Sequence, residues 1–342
     1  MSGSSSEAGR GRGGIGGRIG GGIVGNGMIL RLVGARVAAN LLLLLAISLL
    51  VFLGTELLPG NVAEMVLGQG ATPAAVAGLS AAMHLGEPAP LRYLIWLGDL
   101  VSGNLGNSLV NGDSVAALIA SRLPNSLLLA ALTALVSVPV ALALGITAAI
   151  WRGTLYDRIV NVITVASVSV PEFLVATLAV LIFAVRLHWL PALAYLAGAD
   201  SLGGLFQVFA LPVMTLSFAT IAQMARMTRA ALVNTLLSSY VEMAVLKGAR
   251  PARVVLLHAL PNAVGPIANA IALSLSFLLG GIIIVETIFD YPGLARLMVD
   301  AVSTRDMPLI QACAMLFCAF YLLLVLLADI AAILSNPRLR PR

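Results

Sequence analysis

Six long apolar stretches constrain the fold of this chain more than any other feature of its sequence. They cover residues 32–53, 125–150, 159–185, 206–228, 266–288 and 308–334. Each is long enough to cross a hydrocarbon core of roughly 30 Å as an α-helix, which takes about 20 residues. Backbone groups in lipid must be hydrogen-bonded within the span, which an α-helix achieves. The sequence shows no series of short segments with alternating apolar and polar residues, the pattern that would predict a β-barrel. We therefore expect an all-α membrane protein with six transmembrane helices.

The composition and the placement of charge support this class. Charged residues make up 10% of the chain, against about 25% in soluble domains. If the N-terminus is cytoplasmic, only five of the 20 lysines and arginines lie outside, namely Arg92, Arg122, Arg186, Arg296 and Arg305. This asymmetry follows the positive-inside rule, so we expect both termini in the cytoplasm. It also accounts for the net charge of +5 without a nucleic-acid partner.

The apolar stretches divide the chain into five parts. Residues 1–28 are rich in Gly, Ser and Arg and predict a disordered cytoplasmic tail, whose arginines can contact anionic lipid. The first transmembrane helix is expected at 29–54, followed by a long external segment at 55–121. Five helices are expected within 122–335, with a cytoplasmic loop at 240–262, and residues 336–342 form a C-terminal cytoplasmic tail.

The segment 242–262 reads EMAVLKGARPARVVLLHALPN and separates two apolar stretches. The spacing of Glu242, Ala244, Gly248 and Leu260-Pro261 resembles the EAA loop of ABC-transporter permeases, the cytoplasmic element that docks onto a separate ATPase. Met243 occupies the second position of the Glu-Ala-Ala triplet that names the loop, where an alanine is usual. His258 replaces a branched aliphatic residue of the general loop but fits its peptide-transport branch. The resemblance implies that a set of residues in this loop couples the permease to the ATPase. They are Tyr240, Glu242, Ala244, Lys247, Gly248, Arg250, Arg253, His258, Leu260, Pro261 and Asn262.

Further motifs extend the resemblance from about residue 58 to residue 338. They are Leu58-Pro59-Gly60-Asn61, Leu85-Gly86-Glu87-Pro88, the GNLGNS run at 103–108, Glu286-x-Ile288-Phe289-x-x-Pro292-Gly293, Arg305-Asp306-x-Pro308 and Asn336-Pro337-Arg338. Their order and spacing are similar to those of the dipeptide/oligopeptide/nickel permease family. The resemblance implies a type I ABC importer permease in the bacterial inner membrane. Its expected cargo is a di- or oligopeptide, with a nickel chelate or glutathione as alternatives.

The resemblance also implies which proteins work with this chain. They are a second homologous permease, two cytoplasmic ATP-binding subunits and an extracytoplasmic substrate-binding protein. ATP and Mg²⁺ would bind to the partner ATPase subunits, and no cofactor is expected on this chain. The sequence holds no Gly-x-x-x-x-Gly-Lys-Ser/Thr loop and no hydrolase or Cys-x-x-Cys motif, so no enzymatic site is expected.

Two rival classes stay open at this stage. A secondary transporter or channel would work without ATP, although no internal repeat of the kind found in many secondary transporters is visible. A membrane enzyme or scaffold is the other class. The three histidines are scattered along the chain and predict no metal site.

The residue chemistry of the 240–262 loop fits a docking element. Gly248 can adopt a positive φ and lets two backbones approach closely. An apolar side is expected from Val245, Leu246, Val254, Val255 and Leu257, and a basic side from Lys247, Arg250 and Arg253. Such an amphipathic pair of short helices suits a groove on a partner protein, and the alternative is a surface helix on lipid headgroups.

Glu172 and Asp329 are acidic residues that lie inside apolar stretches. Glu172 follows Pro171 in the third, where a carboxylate costs roughly 2.5–3.5 kcal/mol on insertion scales. It either lines the translocation path, near a half-helix broken by the proline, or bonds to a neighbouring helix as a neutral acid. Asp329 lies near the end of the last stretch, where we expect it to snorkel or pair with a basic residue.

A group of mostly charged residues extends from the end of the fifth stretch to the start of the sixth. These residues form a mixed-charge outer cap. It consists of Glu286, Pro292, Gly293, Arg305 and Asp306, with Asp290 and Arg296. The cap either contacts the binding protein or is a solvated loop, where salt bridges contribute about 0–1 kcal/mol each. The motif matches favour a structural turn.

Overall fold

The structure, a computed structural model, describes residues 20–57, 72–82, 86–195, 201–238, 241, 243 and 246–335. Within these ranges the longer helices are α1 Gly20–Glu56, α2 Pro73–Ala82, α3 Ala89–Ser102, α4 Val115–Ile150, α5 Leu155–Ser169, α6 Glu172–Arg186, α7 Leu202–Leu236, α8 Pro251–Ile288, α9 Leu294–Thr304 and α10 Met307–Ser335. The described part of the chain contains no β-strand, and its one isolated bridge joins Asn107 to Ser114. The predicted all-α class is confirmed.

Five described helices are long and apolar enough to cross a membrane, namely α1, α4, α7, α8 and α10. The third predicted span is instead two helices, α5 and α6, bent by 98° where they meet. Counted as one span, this pair brings the described spans to the predicted six.

The bend of the third span follows from Pro171. Val170 has an extended backbone, with φ −85° and ψ 126°, which is the conformation that a following proline imposes. The chain resumes its helix at Glu172, so a single straight span over 159–185 is wrong, and the proline-broken half-helix is confirmed.

Two helices begin earlier than predicted. Helix α1 begins at Gly20, so the predicted disordered tail of residues 1–28 is helical from that point, since extending a helix is easier than starting one. Helix α4 begins at Val115, ahead of the apolar stretch at 125–150, and includes Pro124. Val115 and Ile119 are buried against Leu294 and Leu309, and this packing holds the added turns.

The central core lies between α4, α6, α7 and α8. It includes the fully buried residues Leu129, Ala176, Leu216, Ile282 and Phe289. A second cluster joins the start of α4 to α9 and the start of α10. A third joins the end of α4 to the end of α7 and the start of α8. The bundle therefore has two distinct ends, one at the start of α4 and one at its finish.

Helix α1 lies antiparallel to α10. Gln311 Nε2 donates to Thr55 Oγ1 at 2.6 Å, Asn40 Nδ2 donates to the Leu322 carbonyl at 3.2 Å, and Arg36 pairs with Asp329 at 3.2 Å. The predicted pairing of Asp329 with a basic residue is confirmed. The start of α1 and the end of α10 thus share the end of the bundle where α8 begins.

The segment 55–121, which the sequence predicts to be external, packs partly on α1 through α3. Tyr93 contacts Phe52 edge-on, with ring centroids 5.5 Å apart, and its hydroxyl lies 2.8 Å from Ser48 Oγ. Arg92 forms an ion pair with Glu56. This part of the segment therefore packs against the bundle.

Candidate functional site

The predicted coupling segment, residues 240–262, lies at the end of the bundle where α7 ends and α8 begins. Tyr240, Glu242 and Ala244, together with Val245, lie outside the described residues. Gly248 sits in a turn with φ +80°, the left-handed conformation that glycine adopts without strain. A Cβ on Gly248 would meet no atom of the described chain, so the expected close approach of two backbones is not made among the described residues.

The apolar side chains of the coupling segment divide into two groups. Val254 and Val255 are both buried, and Val255 packs with Leu232 and Ala263, so their predicted place on a docking surface is wrong. Leu246 is 75% exposed and Leu257 is 60% exposed. The two valines hold the segment to the bundle. The two leucines are available to contact the surface of another molecule.

The basic residues of the segment lie between these two exposed leucines along the chain. Lys247, Arg250 and Arg253 are exposed, and no ion pair in the described part of the chain holds them. The exposed face is thus apolar and basic together.

The beginning of α8 departs from regular α-helix beside Pro261. Residues Val254–Ala259 form a π-helical turn. Pro261 has no N–H to donate to a carbonyl one turn earlier, and a local change of helix type is a usual response to such a loss. Asn262 Nδ2 donates to the His258 carbonyl at 3.0 Å. The Leu260-Pro261-Asn262 motif therefore marks a break in the regular hydrogen bonding at the base of the coupling segment.

A buried ion pair lies at the same end. Asp157 accepts hydrogen bonds from Arg229 Nε at 2.5 Å and Nη2 at 2.8 Å, and from the Gly153 amide at 2.9 Å. The pair fastens the α4–α5 turn to α7. Sequence reasoning missed it, although Thr154 followed three residues later by Asp157 is a helix-start pattern that signals this turn.

Glu286 is the centre of a buried cluster at the opposite end, which we call the Glu286 lock. Its carboxylate accepts hydrogen bonds from Ser126 Oγ and from the amides of Ala295 at 2.8 Å and Arg296 at 3.1 Å. The two amides open α9, so a side chain from α8 caps that helix. A Cβ on Gly293 would collide with the same carboxylate, which explains the glycine.

Two further hydrogen bonds connect the Glu286 lock to α4. Asn125 Nδ2 donates to the Pro292 carbonyl at 2.8 Å, and the Tyr291 hydroxyl donates to the Asn125 carbonyl at 2.9 Å. Burial, and to a lesser degree the Glu286 carboxylate, raise the pKa of Tyr291, so its hydroxyl stays protonated and available as a donor.

Asp306 makes a second buried connection. Its carboxylate accepts from Ser108 Oγ and from the Leu109 amide at 3.2 Å. Arg305 has φ +57° just before it, at the turn from α9 to α10. Two of the sequence motifs, the run at 103–108 and Arg305-Asp306, therefore meet in space.

The outer cap is thus mostly interior. Glu286 is fully buried and Asp306 is 1% exposed, so a solvated loop is the wrong description of these two residues. Arg296 pairs with Asp290 at 3.1 Å and with Asp300 at 3.0 Å nearer the surface. The geometry of the buried residues is that of a structural turn.

Glu172 occupies the first turn of α6, directly after the bend. Its side chain is half-buried, and its carboxyl group lies over Gly281 of α8, where a Cβ would be 2.5 Å from Oε2. No hydrogen bond to Glu172 is made by the side chains that the structure describes. Pro171 and Glu172 thus lie where α6 crosses α8, and within the described residues no group of three or more His, Cys, Asp or Glu residues is placed to hold a metal ion.

Comparison with known proteins gives two family matches. Residues 141–341 match the binding-protein-dependent transport system inner membrane component, and residues 28–130 match the N-terminal part of such membrane components. The chain is 35% identical over 306 residues to a probable peptide ABC transporter permease protein of Sinorhizobium fredii, covering 89% of this chain and 97% of the relative. It is 38% identical over 297 residues to a glutathione transport system permease protein of Escherichia coli, covering 87% and 94%.

Proposed function

The chain belongs to the family of binding-protein-dependent transport system inner membrane components, and on this premise we propose that it carries di- or oligopeptides. Members of this family are permease subunits of ABC importers with the type I fold, located in the bacterial inner membrane. They work with ATP-binding and substrate-binding proteins. For this chain we propose a second homologous permease, two ATP-binding subunits that carry ATP and Mg²⁺, and an extracytoplasmic binding protein.

Transfer of motion from the ATPase is assigned in this proposal to the coupling segment. The observation that carries the assignment is the pair of exposed leucines, Leu246 and Leu257, set among basic residues at the end of the bundle. An apolar helix face of this kind fits a groove on a partner. The end that carries it, with both termini, is proposed to lie in the cytoplasm.

Gly248→Asp tests this assignment. The substitution places a charged side chain at φ +80° on the docking surface, and we expect ATP-driven uptake to be lost while membrane insertion is kept. Gly103→Asp is the matched control, because Gly103 has φ +82° and equally open surroundings on the external segment. Full uptake by a well-expressed Gly248→Asp protein contradicts the docking role.

The translocation path is proposed to pass beside Pro171 and Glu172. A membrane-embedded carboxylate without a hydrogen-bond partner in the described chain usually faces a cavity or a partner protein. Its position at the bend, against α8, means that a change of the α5–α6 angle moves it relative to the core. Glu172→Gln reconstituted with partner subunits should change uptake without changing assembly, and unchanged uptake favours a structural role.

Cargo is tested by ATP hydrolysis of the reconstituted complex. The binding protein is loaded in turn with di- to pentapeptides, glutathione and a nickel chelate. Stimulation by the peptide series supports the proposal. Stimulation by glutathione alone favours the second candidate, for which the Escherichia coli relative argues, and stimulation by nickel alone moves the chain to metal transport.

A further inference from the structure

The turn between α4 and α5 carries an exposed aromatic pair that the transport function does not use. Trp151 is 51% exposed and Tyr156 is 37% exposed. Their rings meet edge-on with centroids 5.3 Å apart, and the Tyr156 hydroxyl lies 2.8 Å from Thr147 Oγ1. The pair is therefore ordered although it faces outward. Trp and Tyr side chains in such positions are enriched at the boundary between lipid and water.

Two exposed arginines flank the pair. Arg152 and Arg158 form no ion pair within the described part of the chain. Asp157 lies between them in sequence, but its carboxylate is buried and is bonded to Arg229 and the Gly153 amide. Three arginines thus share one acidic residue, and the turn has an excess of positive charge.

An apolar strip continues from this turn along α5. Leu155 is 72% exposed, Ile159 47% and Val162 68%. Their spacing of four and then three residues places them on one face of the helix. The surface is thus basic at the turn, aromatic at its margin and apolar along the helix, the same order of chemistry as a phospholipid from its headgroup to its acyl chain.

We propose that the turn 151–158 binds an anionic phospholipid. Arg152 and Arg158 would contact the headgroup, Trp151 and Tyr156 would lie at the ester level, and the apolar strip of α5 would receive an acyl chain. A soluble acidic protein would match the arginines but not the strip, which is why a lipid is the favoured occupant. The proposal does not depend on the transported cargo.

The bound lipid would also act on the rest of the bundle through Asp157. The Asp157–Arg229 pair ties this turn to α7, and α7 leads into the coupling segment. A lipid that steadies the turn would therefore steady the helix that precedes the coupling segment.

Tryptophan fluorescence of the full chain tests the binding. The sequence has three tryptophans, so Trp96→Phe with Trp189→Phe leaves Trp151 as the reporter. The protein is reconstituted in phosphatidylcholine bilayers that contain either brominated phosphatidylglycerol or brominated phosphatidylcholine. We expect quenching to show a relative binding constant for the anionic lipid that is higher by at least roughly fivefold, the factor that a single arginine near an anionic surface supplies.

Two controls separate a site from general attraction. A second reporter keeps Trp189, just after the end of α6, and should show no lipid preference. In the Trp151 reporter, Arg152→Gln with Arg158→Gln should abolish the preference, whereas Arg226→Gln, an exposed arginine on α7, should leave it unchanged. Quenching by brominated phosphatidylcholine checks that each variant is inserted.

Three results would overturn the proposal. Equal quenching of Trp151 by the two lipids means that no anionic site exists. Absence of quenching by either lipid means that protein covers this face. A preference that survives the double arginine substitution means that the headgroup is held elsewhere.

Discussion

The two ends of the bundle are built in opposite ways. At the Glu286 lock, a buried carboxylate joins α8, α4 and the start of α9 through three hydrogen bonds, and Asp306 adds a second buried connection. At the coupling end, the chain makes a glycine turn and a π-helical turn and leaves leucines exposed. The first end is completed within the chain, whereas the second presents a surface that no described residue covers.

This difference indicates where motion can be accommodated. Buried polar groups that are fully hydrogen-bonded specify one arrangement, because breaking them leaves unpaired groups in the interior. An exposed turn next to irregular helix has few such bonds to lose. We expect the coupling end to rearrange against a partner while the Glu286 lock keeps its geometry, and four experiments examine this contrast.

The largest effect is expected from Glu286→Ala. The substitution leaves Ser126 Oγ and two amides of α9 without their acceptor, and should lower the free energy of unfolding by about 3 kcal/mol. Thermal unfolding in detergent measures it, with Glu87→Ala, an exposed glutamate of the external segment, as the control. Equal melting of the two variants would mean that the lock does not stabilise this end.

Arg229→Gln should have the next largest effect. It leaves the Asp157 carboxylate buried without its main partner, and we expect a loss of about 2 kcal/mol. This value is below that of a fully buried pair because the Arg229 side chain is 21% exposed. Arg226 on the same helix donates a hydrogen bond to Gln223, and the described chain shows no ion pair for it. Arg226→Gln should therefore leave the free energy of unfolding nearly unchanged. A neutral Arg229→Gln would mean that this ion pair does not stabilise the coupling end.

Asn262→Ala should lower the free energy of unfolding by a smaller amount. It removes one side-chain hydrogen bond to the His258 carbonyl at an exposed position, for an expected loss of about 0.5–1 kcal/mol. Asn234→Ala on α7 is the matched control, because the described chain shows no side-chain hydrogen bond for Asn234. A loss as large as that of Glu286→Ala would remove the contrast between the two ends.

The smallest effect on stability is expected from Leu246→Ser with Leu257→Ser. Both side chains are mostly exposed, so unfolding should change by less than about 0.5 kcal/mol. Co-purification of the ATP-binding subunit should nevertheless fall, because the apolar docking face is lost. Leu94→Ser, at a leucine 62% exposed on α3, should leave co-purification intact. Unchanged co-purification in the double variant would place the docking surface elsewhere.

The sequence predicted some parts of the site because their cause is local. Gly248 was expected to take a positive φ, and the bend at Pro171 was anticipated as a broken half-helix, since both depend on the residue itself and its neighbours. The pairing of Asp329 with a basic residue followed from the high cost of a lone charge in a span.

Other parts were beyond a single sequence because their cause lies in distant residues. Val254 and Val255 have the same local pattern as Leu257, and only the tertiary structure decides that they are buried, Val255 by packing with residues of α4 and α7. Likewise, Ser126 and Ser108 are ordinary polar residues in sequence, and their partners are 160 and 198 positions away.

The sequence by itself determined the class of protein: apolar stretches of membrane-spanning length require helices, and the motif order identifies the permease family. The tertiary structure alone decided which charged groups are interior and which leucines stay exposed. Span length is a sum over consecutive residues and can be read along the chain. Burial depends on which helix faces lie together, and that depends on contacts between residues far apart in sequence.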